Sequence, residues 1–341
     1  MTLADCVLPR ATALDFIDRS PILASLNYAK GQILTRLGRQ HRSGTTGHSL
    51  GLEKAVAYVR EVLDDYVRYG GAGDAARIEG KAILEVGPGD HLGVALMFLA
   101  MGAESVTCLE AFQSSSGSDL SSRIYGALYD SMSNAQRQRV ADVVGRRADG
   151  SMELKLGRLR PYYLSSIEDS HEALTPGRYD IIVSRAVLEH VGDICLGWKN
   201  MFQCLKHDGE MWHKIDFRSH QLYERIHPLY FLTIDEPLWR AVSRPDPTLN
   251  RARLPVYRNL SSRDFAQTTI YYTRVVEAPE LRPHVETLVP GLHYDDKHLD
   301  LIRKIRPKLK HPFCTHTDEE LLVNGIFLSA RGKRELPDLR A

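Results

Sequence analysis

The chain has 341 residues, of which 43% are hydrophobic, so it is long enough to build one large or two smaller hydrophobic cores. Its 44 basic and 43 acidic side chains give a formal net charge of +1. This balance excludes an overall electrostatic field that would favour nucleic acid or an anionic membrane surface.

Cysteine usage and the N-terminal residues indicate the compartment. The five cysteines are scattered and form no Cys-x-x-Cys pair, which predicts reduced thiols rather than a disulfide framework or a zinc ribbon. Residues 1–14 lack the basic start and apolar core of a signal peptide, and no apolar run reaches the roughly 18 residues of a membrane helix. We therefore expect a cytoplasmic enzyme with a small-molecule substrate and no nucleic-acid or membrane partner; the sequence also allows a homodimer.

The first clear element in chain order is a helix between residues 50 and 69. Apolar side chains recur there at helical spacing, and Gly70-Gly71 ends the pattern. We predict that residues 1–70 form an N-terminal helical segment ahead of the first strand.

A strand, a glycine turn and a helix follow. The apolar run at residues 82–86 leads into Gly87-Pro88-Gly89, and a helix-compatible run covers residues 92–101. Glycines allow a tight turn that passes close to a ligand, and the N–H groups at the start of the next helix attract polar or anionic groups. This stretch predicts a site for a nucleotide-like ligand.

The glycine spacing narrows the choice of ligand. Gly87, Gly89 and Gly93 give G-x-G-x-x-x-G, one residue longer than the dinucleotide fingerprint G-x-G-x-x-G, and Glu85 lies two residues before the first glycine. The stretch resembles motif I, E/D-x-G-x-G, of the class I S-adenosylmethionine-dependent methyltransferases. The resemblance implies that Glu85 binds the ammonium of the cofactor, directly or through water, beside Gly87 and Gly89, and that the preceding helix is a lid.

Two further strands carry candidate cofactor contacts. Residues 105–109 predict a second strand that ends at Glu110, 21 residues beyond Gly89, near the separation at which nucleotide folds place a ribose-binding acid. A third strand is predicted at residues 162–164. The resemblance implies that Ile167 brackets the adenine ring and that Glu168 accepts from its exocyclic amine.

The fourth strand and the turn after it resemble motif IV. Residues 179–184 read Y-D-I-I-V-S and are followed by Arg185 and the segment V-L-E-H-V, which contains His190. The resemblance places Ser184 at the cofactor. The chain lacks the N/D-P-P-Y/F sequence that marks methylation of planar amines, so Ser184 and Arg185 leave room for a non-planar acceptor.

The predicted fifth strand, residues 209–217, contains a pattern of histidine and aspartate. His213, Asp216 and His220 form H-x-x-D-x-x-x-H near its carboxyl end, the edge where open α/β sheets bind substrates. These residues could contact the substrate, with His220 as a substrate-binding residue, deprotonate a hydroxyl group, or bind a divalent or ferric metal. Strand alternation would separate His213 from Asp216 unless the strand ends between them. Similar segments occur in methyltransferases of bacterial polysaccharide and natural-product pathways.

An insertion at residues 218–264 separates strands five and six. It is rich in aromatic and basic residues, and long insertions at this edge are usually functional lids. Tyr223 could stack on a ring, and Arg251 and Arg253 could hold a carboxylate or phosphate. The alternative is that these residues form the insertion's own core and surface.

Strands six and seven are predicted at residues 273–278 and 325–331, with a charged loop and helix between them. The resemblance implies an α/β, Rossmann-like, seven-stranded class I methyltransferase sheet of order 3-2-1-4-5-7-6. Residues 71–335 would form the methyltransferase domain, with the insertion on its substrate side.

The implied reaction is in-line attack of an acceptor atom on the sulfonium methyl group of S-adenosylmethionine, catalysed mainly by alignment. A hydroxyl acceptor must also lose its proton, and His213, oriented by Asp216, and His190 are the candidate bases. The predicted acceptor is a small hydroxylated molecule such as a sugar, a glycan terminus or a natural product. N-methylation of a small amino compound and a non-catalytic cofactor-binding scaffold remain alternatives.

Overall fold

The computed structural model describes residues 51–112, 118–169, 172–219, 223, 226–243 and 249–334. These residues form two compact units. The larger unit holds the described residues from 51 to 215, 256–271 and 327–334, and the smaller unit holds those from 216 to 255 and 272–326. Within the described part of the chain, every helix is too short or too polar to cross a membrane.

The larger unit alternates helices and strands. Its elements are α1 (Leu52–Asp65), β1 (Ala82–Val86), α2 (Gly93–Ala100), β2 (Ser105–Glu110), α3 (Asp119–Asp130), α4 (Asn134–Arg139), β3 (Val144–Arg146), β4 (Met152–Leu154), β5 (Leu159–Tyr163), β6 (Tyr179–Arg185), α5 (Ile194–Cys204) and β7 (Leu205–Asp216), whose last residue begins the smaller unit.

The remaining elements follow the fifth strand of the main sheet. They are α6 (Glu236–Ser243), α7 (Leu254–Asp264), β8 (Phe265–Val275), β9 (Glu280–Val285), α8 (Asp296–Ile305), α9 (Asp318–Leu322) and β10 (Val323–Lys333). Helix α7 and strands β8 and β10 each contribute residues to both units.

The main sheet has the order β5-β2-β1-β6-β7-β10-β8-β9, and β3 and β4 form a separate antiparallel ribbon. Strands β5, β2, β1, β6 and β7 pair in parallel. The class I α/β fold is therefore confirmed, and β10 and β8 occupy the places predicted for strands seven and six.

The predicted count of seven strands is wrong by one, because β9 pairs antiparallel with β8 as an additional edge strand. We expected a charged loop here. Proline cannot donate a hydrogen bond to a neighbouring strand and is tolerated at a sheet edge, so Pro283 and the charged residues around it concealed this strand in the sequence.

Helix α1 confirms the helix predicted between residues 50 and 69, with Ala55, Val59 and Val62 on its buried face. Residues 1–50 of the predicted N-terminal helical segment lie outside the described residues. It runs into a π-helical turn, Tyr66–Gly70. The Tyr66 ring stacks on Phe98 of α2 at 5.8 Å between ring centroids. These contacts place α1 against the helix that follows the glycine turn.

Candidate active site

The turn between β1 and α2 requires glycine for two reasons. Gly87 and Gly89 have φ angles of 72° and 78°, in the left-handed region that favours glycine. A Cβ atom on Gly87 would lie 2.2 Å from Cγ2 of Val187. The turn therefore packs directly against the loop that follows β6.

The Glu110 carboxylate anchors the second glycine of this turn. The Gly89 N–H donates to Oε2 of Glu110 at 2.9 Å, and the Phe112 N–H donates to Oε1 at 3.0 Å. Burial raises the pKa of Glu110 above its ordinary value, partly opposed by these two donors. The spacing of 21 residues that singled out Glu110 in the sequence thus corresponds to a direct contact with the turn.

Glu85 is the fourth of the five residues of β1 and is only 5% exposed. Burial raises its pKa to about 8, and the Cys108 thiol donates to its Oε2 at 3.6 Å. Among the described residues, no cationic group contributes to this pKa shift. A cationic ligand group beside Glu85 would favour its ionised form.

The loop after β6 contains His190 and is tied down on its far side. Glu168 accepts the N–H groups of Gly192 and Asp193, at 3.1 and 2.6 Å. Ile167 is buried, and its carbonyl accepts from the Asn200 side chain at 2.9 Å. The structure thus brings Glu168 to the His190 loop, and that loop to the glycine turn through Val187.

His213 lies opposite Ser184 in the register of β6 and β7. Ser184 Oγ and His213 Nδ1 are 2.8 Å apart, and both residues are fully buried. Burial lowers the pKa of His213 to about 3, and within the described residues its Nε2 has no hydrogen-bond partner. His213 is therefore a neutral histidine inside the sheet.

Among the described residues, His213 pairs with Ser184 and not with Asp216. Asp216 accepts hydrogen bonds from the Arg218 guanidinium instead, and the partner of His213 Nδ1 is Ser184. His220 lies outside the described residues. The metal site predicted from these three residues therefore stays a prediction.

An ionic network that the sequence analysis missed connects α1 with the ends of β6 and β7. Asp65 Oδ2 accepts from Arg185 Nη1 at 2.6 Å and from Lys214 Nζ at 2.7 Å. Arg185 also donates to Glu61 at 2.5 Å and lies 5.2 Å from the Tyr58 ring centroid. The sequence contained one signal for this network: Asp65 lies on the apolar face of the predicted helix, and a buried charge is nearly always paired with an opposite charge.

Two predicted substrate-binding arginines bind their own chain in the smaller unit. Arg253 is 1% exposed and donates to the carbonyls of Leu321 and Val323 at 2.9 and 2.7 Å. Arg251 donates to the carbonyl of Ile234 at 2.7 Å. These contacts give both guanidinium groups structural roles.

The third predicted substrate contact, Tyr223, is 2% exposed. Its ring lies 5.3 Å from that of Tyr230 between centroids. The aromatic part of the insertion thus packs in part on itself, which is the alternative that the sequence left open.

Comparison with known families identifies the fold. The model of the family described as "Methyltransferase domain" matches residues 56–245, more than half of the chain. The chain belongs to this methyltransferase family. No curated protein sequence matches this methyltransferase.

Solved structures of methyltransferases match this chain at low sequence identity. Phosphoethanolamine N-methyltransferase 2 of Haemonchus contortus, solved with phosphomonomethylethanolamine and S-adenosylhomocysteine, is 14% identical, with 94% of this chain and 60% of that one covered and a TM-score of 0.40. An S-adenosylmethionine-dependent methyltransferase of Mesorhizobium loti is 15% identical, with 77% and 100% covered and a TM-score of 0.37. At these scores neither structure assigns an acceptor to this chain.

The methyltransferase uses S-adenosylmethionine as its methyl donor. When bound, this cofactor supplies a methyl group activated by the positive charge of its sulfonium sulfur. The residues present fit this cofactor. Glu85 is a buried acid whose pKa shift has no cationic contribution from the described residues, and the backbone at Gly87 and Gly89 can pass close to a ligand.

Proposed function

We propose that this methyltransferase methylates a hydroxyl group of a small acceptor. The proposal rests on the residues at the end of β6. Ser184 and Arg185 lie there instead of the N/D-P-P-Y/F sequence that marks methylation of planar amines. Ser184 is paired with His213, and Arg185 is held by Asp65. Neither side chain presents the amide and aromatic surfaces that would hold a planar amine, which supports a non-planar acceptor.

For the cofactor, we propose that Glu85 binds the ammonium and Glu110 binds the ribose hydroxyls, with Gly87 and Gly89 between them. Each oxygen of Glu110 accepts one backbone N–H, and a carboxylate oxygen can accept a second hydrogen bond. Since both acids are held next to the same turn, a ligand with a cationic end and a diol end matches their placement.

For proton removal, we propose His190 rather than His213 as the base. His213 is fully buried, and its lowered pKa makes it a weak base. His190 is only partly buried, in the loop whose Val187 packs against Gly87. Its loop therefore lies beside the proposed cofactor site, where a base is needed.

The test is methyl transfer from methyl-labelled S-adenosylmethionine to a panel of small alcohols, sugars, hydroxy acids and amines. We expect hydroxyl acceptors to be methylated, and we expect His190→Ala to reduce turnover by roughly 10²–10⁴-fold without loss of S-adenosylhomocysteine binding. His207→Ala is the matched control, because His207 is an exposed histidine near the first residue of β7. Its loss should leave turnover unchanged.

Three results would contradict parts of this proposal. Preferential methylation of amines would refute hydroxyl transfer. Cofactor binding without turnover on any acceptor would favour a non-catalytic scaffold. Full activity of His190→Ala would remove His190 as the base.

A further inference from the structure

The smaller unit contains a pocket of about 190 Å³, lined by Arg218, Pro228, Arg274, Glu277, Ala278 and Asn324. A pocket of this volume suits one small group rather than a polymer. Arg218 follows the last residue of β7 by two positions, and ligands of open α/β sheets bind beyond the carboxyl ends of strands.

Asn324 lines this pocket and carries an amide group that can donate hydrogen bonds. The residue is 3% exposed, and its Oδ1 accepts from Arg253 Nη1 at 3.2 Å. Arg253 is itself held by main-chain carbonyls, so the orientation of the amide is fixed. In the described part of the chain, the amide nitrogen of Asn324 has no acceptor. This N–H group is therefore available to a ligand atom or a water in the pocket.

Two guanidinium groups flank this donor, and each is held by its own chain. Arg218 Nε lies 2.9 Å from Asp216 Oδ2. Arg274 Nη1 donates to the carbonyl of Ala278 at 3.0 Å, and its Nη2 is 3.8 Å from Glu280. Their nearby carboxylates offset much of their charge, so the pocket offers oriented donors more than a strong positive field. Such planar donors match a carboxylate group.

Glu277 supplies the acceptor in the lining. Its φ angle of 55° is unusual for a residue other than glycine. A ligand group that donates to Glu277 could be a hydroxyl or an ammonium. We take the hydroxyl as this donor, and L-serine as a probe tests the ammonium.

We propose that this pocket binds a small molecule that carries a carboxylate and a neighbouring hydroxyl group. The carboxylate accepts from Arg218, Arg274 and Asn324, and the hydroxyl donates to Glu277. If this molecule is the methyl acceptor, the inference rests on the proposed function and narrows its acceptor to hydroxylated acids.

The test is calorimetric titration of the full chain, without cofactor, with D-glucuronate, D-glucose and L-serine as probes. We expect D-glucuronate to bind and neutral D-glucose to bind at least tenfold more weakly. Asn324→Asp keeps an acceptor for Arg253 but replaces the donor by an oxygen, so it should weaken D-glucuronate binding at least tenfold. Arg274→Gln should do the same.

Arg303→Gln is the matched control, because it removes one positive charge from an exposed pair with Asp300 in the same unit. It should leave binding unchanged. The inference is overturned if D-glucuronate does not bind, if L-serine binds more tightly, or if both pocket variants bind like the wild type. S-adenosylhomocysteine is titrated separately. If D-glucuronate binds and S-adenosylhomocysteine does not, the pocket is supported and the result counts against the proposed function. If S-adenosylhomocysteine binds and D-glucuronate does not, only the inference about the pocket is overturned.

Discussion

Asp65 is predicted to hold α1 against the ends of β6 and β7, and Asp65→Asn tests this directly. The Asp65 carboxylate is 1% exposed and accepts from two cations, Arg185 at 2.6 Å and Lys214 at 2.7 Å. Removing one partner of a buried ion pair destabilises a protein by about 3–5 kcal/mol. Because Arg185 keeps Glu61, we expect the lower end, about 3 kcal/mol.

The assay is urea unfolding, with thermal unfolding alongside it. A loss of about 3 kcal/mol corresponds to a decrease in Tm of roughly 6–12 °C, at about 2–4 °C per kcal/mol. Asp64→Asn is the control, since Asp64 is 60% exposed and pairs loosely with Arg68 at 3.8 Å. Such exposed pairs contribute about 0–1 kcal/mol.

A double variant separates the loss of a contact from the burial of an unpaired charge. Asp65→Asn with Lys214→Met removes the acid and one of the cations that it holds. We expect the double variant to be more stable than Asp65→Asn alone. If Asp65→Asn and Asp64→Asn differ by less than about 1 kcal/mol in free energy of unfolding, the reasoning about the network is refuted.

Three further predictions concern the turn, Glu85 and Arg253. Gly87→Ala should destabilise the protein by at least ~1 kcal/mol and abolish S-adenosylhomocysteine binding, because the added methyl group would lie 2.2 Å from Val187 in a left-handed backbone. Unfolding measures the stability and calorimetry measures the binding. Wild-type affinity for S-adenosylhomocysteine would contradict this prediction. Burial raises the folded-state pKa of Glu85 to about 8, so its contribution to stability should decrease from about pH 4.5 to pH 8. Glu85→Gln should flatten this decrease in unfolding free energies measured at several pH values. An unchanged slope would refute the raised pKa of Glu85. Arg253→Met should cost about 3 kcal/mol or more in urea unfolding, since it leaves several buried carbonyls without a donor, and a loss below 1 kcal/mol would contradict its structural role.

The local parts of the fold and site could be predicted from the sequence. The turn at Gly87 and Gly89 depends on backbone preferences of adjacent residues, and Glu110 follows from the length of one strand-helix-strand unit. Its contact with the Gly89 N–H at 2.9 Å is the physical result of that spacing. Features set within about 20 residues of one another were therefore visible in the sequence.

Features that join distant residues were not visible. Asp65 meets Lys214 across 149 residues and Arg185 across 120. The sequence left Arg253 either on a substrate or in the insertion's own core, because a guanidinium group can bind either a ligand carboxylate or buried carbonyls, and only the fold decides between them. Strand β9 was missed because edge strands tolerate proline and charge, which removes the usual alternating pattern.

The most direct test of the account is the binding of S-adenosylhomocysteine to the full chain at pH 7, measured calorimetrically in buffers of different ionisation enthalpy. We expect binding to the wild type with release of a proton, because Glu85, with a pKa of about 8, must ionise beside the ligand ammonium. Glu85→Gln should bind more weakly and release no proton, and Glu110→Ala should bind more weakly with proton release retained. No binding, or binding with the wild-type affinity in both variants, would contradict the central claim that these two acids hold the cofactor.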